Sequence, residues 1–363
     1  MKQTIKHAAL ASTLLLATAM AGAADTKDDS YGSETRSVAP FTNLNLIGPF
    51  RVIVTAQPGN AVELSGLRRQ FAEIETSVSG DTLTVRQPRK QKGWTLNLSW
   101  GKESRPPMTI RISAAGLKSL RNAGSGDVDL QQFQGKALTL VSDGPGDIHA
   151  TGKVGDLSIT ANGSGDLDLR ALSSANLNLQ MGGPGDVSLA GVTQDLNLVV
   201  NGSGDLDISD IRANRVNAAL HGPGSVALHG SAKEIRADVH GSGDLDACTL
   251  SAEAASASLH GPGEACIAGH IKKLDAEVHG SGDLTVRGLE AQSVRARLSG
   301  PGNMVLSGNT AVLNAQVSGS GDLDARQLCT RQTDVTVHGP GNAVVTVAEN
   351  ADASRTRLVT YHR

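Results

Sequence analysis

The feature that most constrains this chain is a short glycine motif that recurs at fixed spacing over its last two-thirds. The motif is Gly, then Ser or Pro, then Gly, followed by Asp, Glu, Asn or Ser, and it occurs twelve times, from Gly124 to Gly339. Successive motifs lie alternately 20 and 19 residues apart, and the middle residue alternates between Ser and Pro in step. The repeating unit is therefore 39 residues long and occurs six times. A unit this short cannot bury an apolar face alone, so neighbouring units must stack.

Between the motifs, apolar and polar residues alternate strictly, as in Asp166-Leu167-Asp168-Leu169. A second alternating run precedes each following motif. Period two with one apolar side is typical of a half-buried β-strand. Two strands in every turn predict an all-β fold: a parallel β-helix, or β-solenoid, of about twelve regular turns of 19–20 residues with less regular N-terminal coils. At ~4.8 Å per turn the rod is roughly 58 Å long.

The stacking predicts which side chains form the core and how the corners differ. Two inner columns are expected: Val128, Ile148, Leu167, Val187, Leu206, Val226 and Leu245, and then Leu130, Ala150, Leu169, Leu189, Ile208 and Leu228. We call a turn that begins with Gly-Ser-Gly a Ser turn and one that begins with Gly-Pro-Gly a Pro turn, and we count residues from the first glycine. In the Ser turns the tenth residue is always apolar, beginning with Phe133, so this corner has room for a side chain. In five Pro turns the ninth residue is glycine, from Gly152 to Gly308, which predicts a tighter corner with positive φ.

The chain is predicted to be exported. Lys2 and Lys6 precede a short apolar run, and Ala21-Gly22-Ala23 is a small-residue cleavage signature. We therefore expect four segments: a signal peptide at 1–23, a flexible mature N-terminus at 24–37, an N-terminal β region at 38–121 with a capping or hairpin segment at 86–107, and the solenoid of six repeats at 122–363. No apolar run is long enough to be a transmembrane segment, and the expected location is the periplasm, the cell surface or the medium.

Composition limits the partners. Residues 134–360 contain no aromatic residue, which argues against base stacking on nucleic acid and against a sugar-stacking cleft there. Residues 122–363 carry 17 Lys and Arg against 27 Asp and Glu, so this part of the chain repels nucleic acid and anionic membranes. We therefore expect no nucleic-acid partner and an unidentified protein or glycan of the envelope or surface as the ligand.

An aspartate follows most of the glycine motifs and forms one predicted column. Its members are Asp127, Asp147, Asp166, Asp186, Asp205, Asp244, Asp283 and Asp322. Glycine-rich β-rolls bind calcium through a related motif, so a cation site is one interpretation. The favoured interpretation is that each Asp caps backbone N–H groups of its own turn, because Ser225, Asn303 and Asn342 replace it in the same column. No cofactor is expected.

A second column precedes the motifs and contains four successive histidines: His221, His240, His260 and His279. Imidazoles one turn apart are suited to Zn or Cu. The rest of the column, which includes Asn162, Gly182 and Ser299, consists of residues that tolerate a left-handed turn backbone. A stacked turn-capping ladder is therefore favoured, and the histidines remain weak metal candidates.

Three cysteines, Cys248, Cys266 and Cys329, do not make a disulfide framework. Cys248 and Cys266 lie in adjacent turns but are two residues out of phase. Their Cα atoms are then expected about 8 Å apart, as for diagonal neighbours in a sheet, which is beyond disulfide range. We expect both to be reduced unless the corner bends inward.

The segment 86–107 is the least repetitive part and contains both tryptophans. Arg89, Lys92, Trp94 and Trp100 give it the composition of an interface hot spot. These four residues are the candidate binding site. The alternative is a hairpin that covers the open first coil, since an uncovered sheet end promotes aggregation.

Four ordered segments resemble a bacterial family labelled putative auto-transporter adhesin, head GIN domain. They are SVAPFTNL at 37–44, GPFRVIV at 48–54, IETSVSGDTLTV at 74–85 and GSGDV at 124–128. The resemblance covers nearly all of residues 38–363. It implies a right-handed β-helix similar to pectin-lyase folds, with no assigned catalytic residues and a suggested role in adhesion.

The function favoured by sequence is an exported, non-enzymatic β-solenoid with a structural, adhesive or envelope-interaction role. One alternative is a polysaccharide-active β-helix enzyme, which is disfavoured because no turn is chemically unlike its neighbours. The other is a cation-binding solenoid that uses the Asp or His column.

Overall fold

The computed structural model describes residues 30–88, 108–348 and 356–362, and it shows a β-solenoid of stacked parallel coils. Its elements are β1 (Tyr31–Ser37), β2 (Asn43–Ile47), β3 (Arg51–Thr55), β4 (Ala61–Leu67), α1 (Arg68–Phe71), β5 (Glu75–Ser79), β6 (Thr82–Arg86), β7 (Thr109–Ser113), β8 (Ser119–Asn122), β9 (Val128–Ser142), β10 (Ile148–Ala161), β11 (Leu167–Met181), β12 (Val187–Ala190), β13 (Val192–Val200), β14 (Leu206–Leu220), β15 (Val226–Val239), β16 (Leu245–Leu259), β17 (Ala265–Val278), β18 (Leu284–Ser299), β19 (Met304–Ser318), β20 (Leu323–His338), β21 (Ala343–Ala348) and β22 (Thr356–Tyr361). The predicted all-β solenoid is confirmed.

Each long strand has two straight arms joined by a bent corner. In β14 the first arm covers 206–209 and the second arm 215–220, and the pairing with β15 shifts register between them, after Ile208. Within the arms, buried and exposed residues alternate. Leu206 pairs with Val226 and Ile208 with Leu228, in parallel, and all four side chains are buried. The two predicted inner columns are confirmed.

The corners differ between the two kinds of turn, as predicted. Phe133, the first of the corner side chains in the Ser turns, is only 2 % exposed. In the Pro turns, Gly152 has φ +136°, and a Cβ there would lie 2.0 Å from the Phe133 carbonyl oxygen. The tight corner therefore needs glycine both for its backbone conformation and for the close approach of the neighbouring coil.

The N-terminal β region continues into the regular repeats without a break in hydrogen bonding. Strand β3 pairs in parallel with β7 and with β9, and β8 also pairs with β9. Residues 31–37, expected to be flexible, instead form β1, which pairs antiparallel with β4. Arg36 stabilises this strand, because its guanidinium donates hydrogen bonds to the Ile74 and Phe71 carbonyl oxygens at 2.6 and 2.8 Å.

The C-terminal end of the solenoid turns back on itself. Strand β22 pairs antiparallel with β21, and the Tyr361 hydroxyl lies 2.7 Å from Thr333 Oγ1. The described residues form about eleven turns, close to the expected number of about twelve. No described helix could cross a membrane; α1 is four residues long.

Candidate functional site

The predicted aspartate column lies at the glycine corner, directly before the strand that begins each coil. The Asp127 carboxylate accepts a hydrogen bond from the backbone N–H of Asp147 at 3.2 Å, and Asp147 accepts one from Asp166 at 2.9 Å. The same bond recurs at later coils, including Ser225 N–H to Asp205 at 3.0 Å and Asn342 N–H to Asp322 at 2.9 Å. These aspartates are caps, but the N–H that each one caps belongs to the next coil and not to its own turn.

A different set of aspartates caps its own turn. Asp168, Asp246 and Asp324 lie on the outward face of the first arm in the Ser turns, and each carboxylate accepts a bond from the N–H two residues later, at 3.3, 3.0 and 3.0 Å. One carboxylate oxygen in both kinds of column is thus engaged by backbone. This supports a structural role for the acidic columns over a calcium site, since hydrogen bonds to N–H groups already compensate the charge.

The Arg170 guanidinium bonds to both oxygens of Asp168, at 2.8 Å each. The side-chain hydrogen bond from Arg170 lowers the pKa of Asp168 to about 2, against the opposing effect of partial burial. In the same way, the hydrogen bond from Arg215 on the next coil holds the pKa of Asp195 below its ordinary value. Such pairs between coils, 20 residues apart, were missed by the sequence analysis. The signal was present as opposite charges at the period of the repeat.

The four predicted histidines are brought together on successive coils, just before the corner. Their rings stack: the centroids of His221 and His240 are 5.3 Å apart, those of His240 and His260 4.5 Å, and those of His260 and His279 5.1 Å. The interplanar angles are 2°, 12° and 23°. The ladder of imidazoles is therefore continuous over four coils.

The turn-capping explanation of this column is wrong in one respect. Among the described non-glycine residues, positive φ occurs at Gln132 and Asp210, neither of which belongs to the column. The backbone N–H of His240 instead donates to Leu220 at 2.7 Å, and that of His260 to Val239 at 2.8 Å, which continues the parallel ladder. A left-handed backbone does not account for the choice of residue.

Carboxylates and hydroxyls lie beside the imidazoles. His240 Nε2 is 2.9 Å from Asp238 Oδ1, and Asp238, His240 and His260 each offer a ligand atom within 4.8 Å of the others. His279 Nδ1 is 2.6 Å from Ser299 Oγ, and its Nε2 is 3.5 Å from Glu277. A hydrogen bond from Arg297 holds the pKa of Glu277 below its ordinary value.

Cys248 and Cys266 form a disulfide, so the expectation that both are reduced is wrong. Their Cα atoms are 5.2 Å apart rather than about 8 Å. Strand β16 shifts its register relative to β17 after Ala247, so the next residues bulge out of the ladder. In the ladder Cys266 pairs with Asp246, so Cys248 is still two residues further along its strand, but it lies at the register shift, where the strand is no longer extended alongside β17. Cys329 is a free, half-buried thiol.

The four candidate binding residues, Arg89, Lys92, Trp94 and Trp100, lie outside the described residues. The described chain shows only where their segment starts and ends. It leaves after β6, which pairs with β2 and β5, and returns at β7, which pairs with β3 and β4. The candidate site therefore remains a prediction from composition.

The profile of one family, described as putative auto-transporter adhesin, head GIN domain, matches the chain at residues 40–229, 191–289 and 268–357. A comparison with curated proteins gave no match. Similar solved structures include a putative adhesin from Bacteroides fragilis, 18 % identical over 86 % of this chain and 98 % of that one, with a TM-score of 0.27. Two others are from Parabacteroides distasonis: a putative adhesin (17 % identity, 86 % and 98 % covered, TM-score 0.36) and a putative lipid binding protein (16 % identity, 87 % and 97 % covered, TM-score 0.35).

Proposed function

The chain belongs to the family described as putative auto-transporter adhesin, head GIN domain, and from this premise we propose that it is an exported, non-enzymatic rod that presents its faces to a ligand of the cell envelope or surface. Export rests on the signal sequence at 1–23, which lies outside the described residues. The ligand is a protein or a glycan, and the site of action is the periplasm or the cell exterior.

The observation that carries the proposal is the repetition of the outer faces. On the outward face of the first arms, one side chain from each coil contributes to a column that runs along the rod. In this column Asp168 pairs with Ser188, Ser188 with Asp207, and Asp207 with Ala227. A shallow hollow on this face is lined by equivalent positions of successive coils, such as Asp205, Ser225 and Asp244. A rod that presents small and acidic side chains at equivalent positions of successive coils is suited to many weak contacts in parallel, whose combined avidity exceeds each single affinity.

The polysaccharide-active alternative finds no support in these faces. A glycoside hydrolase needs one carboxyl with a raised pKa, to act as acid, beside a second carboxylate. The pKa of Asp168 is instead lowered to about 2 by Arg170. Asp207 occupies the same column two coils away, so the two acids have equivalent rather than contrasting positions.

The proposed contact site is the segment 86–107, which carries both tryptophans of the chain. Its Trp and Arg residues are of the types that dominate binding energy at interfaces. A test uses the purified chain from residue 24 onward, with immobilised envelope fractions and a glycan array as separate arms. We expect saturable binding in one arm and at least a tenfold loss in a Trp94→Ala/Trp100→Ala variant, on the scale of roughly 1.4 kcal/mol per tenfold.

The control is Arg295→Ala, at an exposed position on the second arm of β18. It should bind as the wild type does if the end of the rod makes the contact. Equal binding by the wild type and the double tryptophan variant contradicts the contact site. Absence of saturable binding in both arms contradicts the adhesive function itself.

A further inference from the structure

The histidine ladder is not required by the fold. At the equivalent position, other coils carry Asn162, Gly182, Asn201 and Ser318, in the same extended ladder. The corner therefore forms with amide, hydroxyl or no side chain. Four successive imidazoles at 221, 240, 260 and 279 need an explanation other than backbone geometry.

The centre of the ladder is also where the rings approach most closely. His240 and His260 stack at 4.5 Å, whereas the outer pairs are 5.3 and 5.1 Å apart. The side chain of His240 is 41 % exposed. Neutral imidazole is the commonest protein ligand for metal ions and suits Zn and Cu in particular.

Asp238 adds a carboxylate at this centre. Its Oδ1 is shielded from solvent and has no well-aligned hydrogen-bond donor among the described residues, although His240 Nε2 lies 2.9 Å away. Its neighbours in the ladder on the adjacent coils are Ala219 and Ser258, which carry no charge. Among the ion pairs of the described residues, the only partner of this carboxylate is the His240 imidazole.

From this arrangement we propose that Asp238, His240 and His260 form a binding site for a divalent transition metal ion, with Zn²⁺ as the representative. The three ligand atoms lie within 4.8 Å of one another. Tetrahedral Zn²⁺ with ligands at ~2.1 Å places them roughly 3.4 Å apart, a distance that small rotations of the two exposed imidazoles and of the half-buried carboxylate reach. Three protein ligands leave a fourth position for water or for a group on a partner.

Two other places are less suitable. At the next coils, Glu277 faces His279, but Arg297 already pairs with Glu277. Asp246 lies beside Cys248 and Cys266, whose sulfurs are joined in the disulfide and are not thiolates, the form that binds metals. Among the described residues, a carboxylate without an arginine or lysine partner lies beside the most closely stacked imidazoles only at Asp238.

The test is isothermal titration of the tag-free chain from residue 24 with Zn²⁺, without reductant and with Cys329 alkylated. The binding variant is His240→Asn/His260→Asn, because asparagine already occupies this position at 162 and 201, so the fold accommodates it. Asp238→Asn removes the carboxylate alone. His338→Asn is the matched control: it lies in the same column, but the adjacent coil carries Ser318.

We expect one Zn²⁺ per chain for the wild type and for His338→Asn, and no competition by Mg²⁺, which prefers oxygen ligands. Asp238→Asn should bind Zn²⁺ at least about tenfold more weakly than the wild type, and the double variant at least about 100-fold more weakly. The loss should be this large because even residues that only hydrogen-bond to a metal ligand contribute about 10–100-fold to metal affinity. Circular dichroism verifies the fold of each variant. Unchanged affinity in the double variant, equal loss in His338→Asn, or binding of Mg²⁺ as tight as Zn²⁺ overturns the proposal.

Discussion

Stacked glycines set how closely the coils approach, and Gly163 offers a direct test of that constraint. A Cβ at Gly163 would lie 2.0 Å from the Gly144 carbonyl oxygen on the preceding coil. The substitution Gly163→Ala therefore forces the two coils apart locally, since real Cβ atoms do not approach a carbonyl oxygen within 3.0 Å. We expect a large loss of stability from a single methyl group at this half-buried corner.

The magnitude follows from the hydrogen bonds at this corner. Asn162 and Gly163 both donate to the Ser142 carbonyl oxygen, at 2.8 and 2.9 Å. Moving the coils apart by about 1 Å takes both distances beyond the normal range. Two lost bonds at about 0.5–1.5 kcal/mol each, together with overpacking of about 1–3 kcal/mol, predict a destabilisation of roughly 2–6 kcal/mol.

The assay is urea unfolding followed by circular dichroism, with hydrogen exchange at the amides of Asn162 and Gly183 to localise the effect. The matched control is Gly116→Ala, where a Cβ meets nothing within 4 Å; its free energy of unfolding should change by less than about 0.5 kcal/mol. If Gly163→Ala and Gly116→Ala shift the unfolding midpoint equally, close stacking of the glycine corners does not stabilise the solenoid.

Three further predictions concern the core, a charge pair and the disulfide. Leu206→Ala, in a fully stacked inner column, should cost about 2–5 kcal/mol in unfolding free energy, and an equal cost for the exposed control Asp207→Ala would contradict the assigned core. The pKa of Asp168 lies below its ordinary value, so its ionised form stabilises the fold above about pH 4, and this contribution is lost as the pH falls towards about 2. A carboxyl titration by NMR should show that Arg170→Gln raises the pKa of Asp168. An unchanged pKa would refute the pairing. Thiol titration of the denatured, unreduced chain should find one free thiol, and reduction should destabilise the protein by about 3 kcal/mol; three free thiols would exclude the disulfide.

The repeat made the regular part of the fold predictable. Period-two alternation identified Leu206 and Ile208 as inward residues, and the fixed spacing aligned them with Val226 and Leu228 on the next coil. The corner glycines were predictable for the same reason. Ser turns and Pro turns alternate, so each coil repeats the backbone geometry of the coil two before it, and a glycine that recurs as the ninth residue of the Pro turns identifies the tight corner.

Features that depend on a departure from the repeat were not predictable. Cys248 of the disulfide lies at the register shift after Ala247, and nothing in the alternation of β16 predicts a shift at that point. Strand β1 depends on Arg36 bonds to the carbonyl oxygens of residues more than thirty positions away. The Asp127 carboxylate accepts its hydrogen bond from the N–H of Asp147 on the next coil, because the two coils are stacked directly on each other. The spacing of the motifs did not distinguish this bond from a cap within the turn of Asp127 itself.

The measurement that most directly tests the proposed adhesive function is surface plasmon resonance of the purified chain from residue 24, immobilised through its C-terminus, with envelope fractions and defined glycans flowed over it. We predict saturable binding to one class of ligand, weakened at least tenfold by Trp94→Ala/Trp100→Ala, with no consumption of the ligand after hours of contact. Absence of saturable binding, or chemical turnover of a bound glycan, would contradict a non-enzymatic adhesive rod.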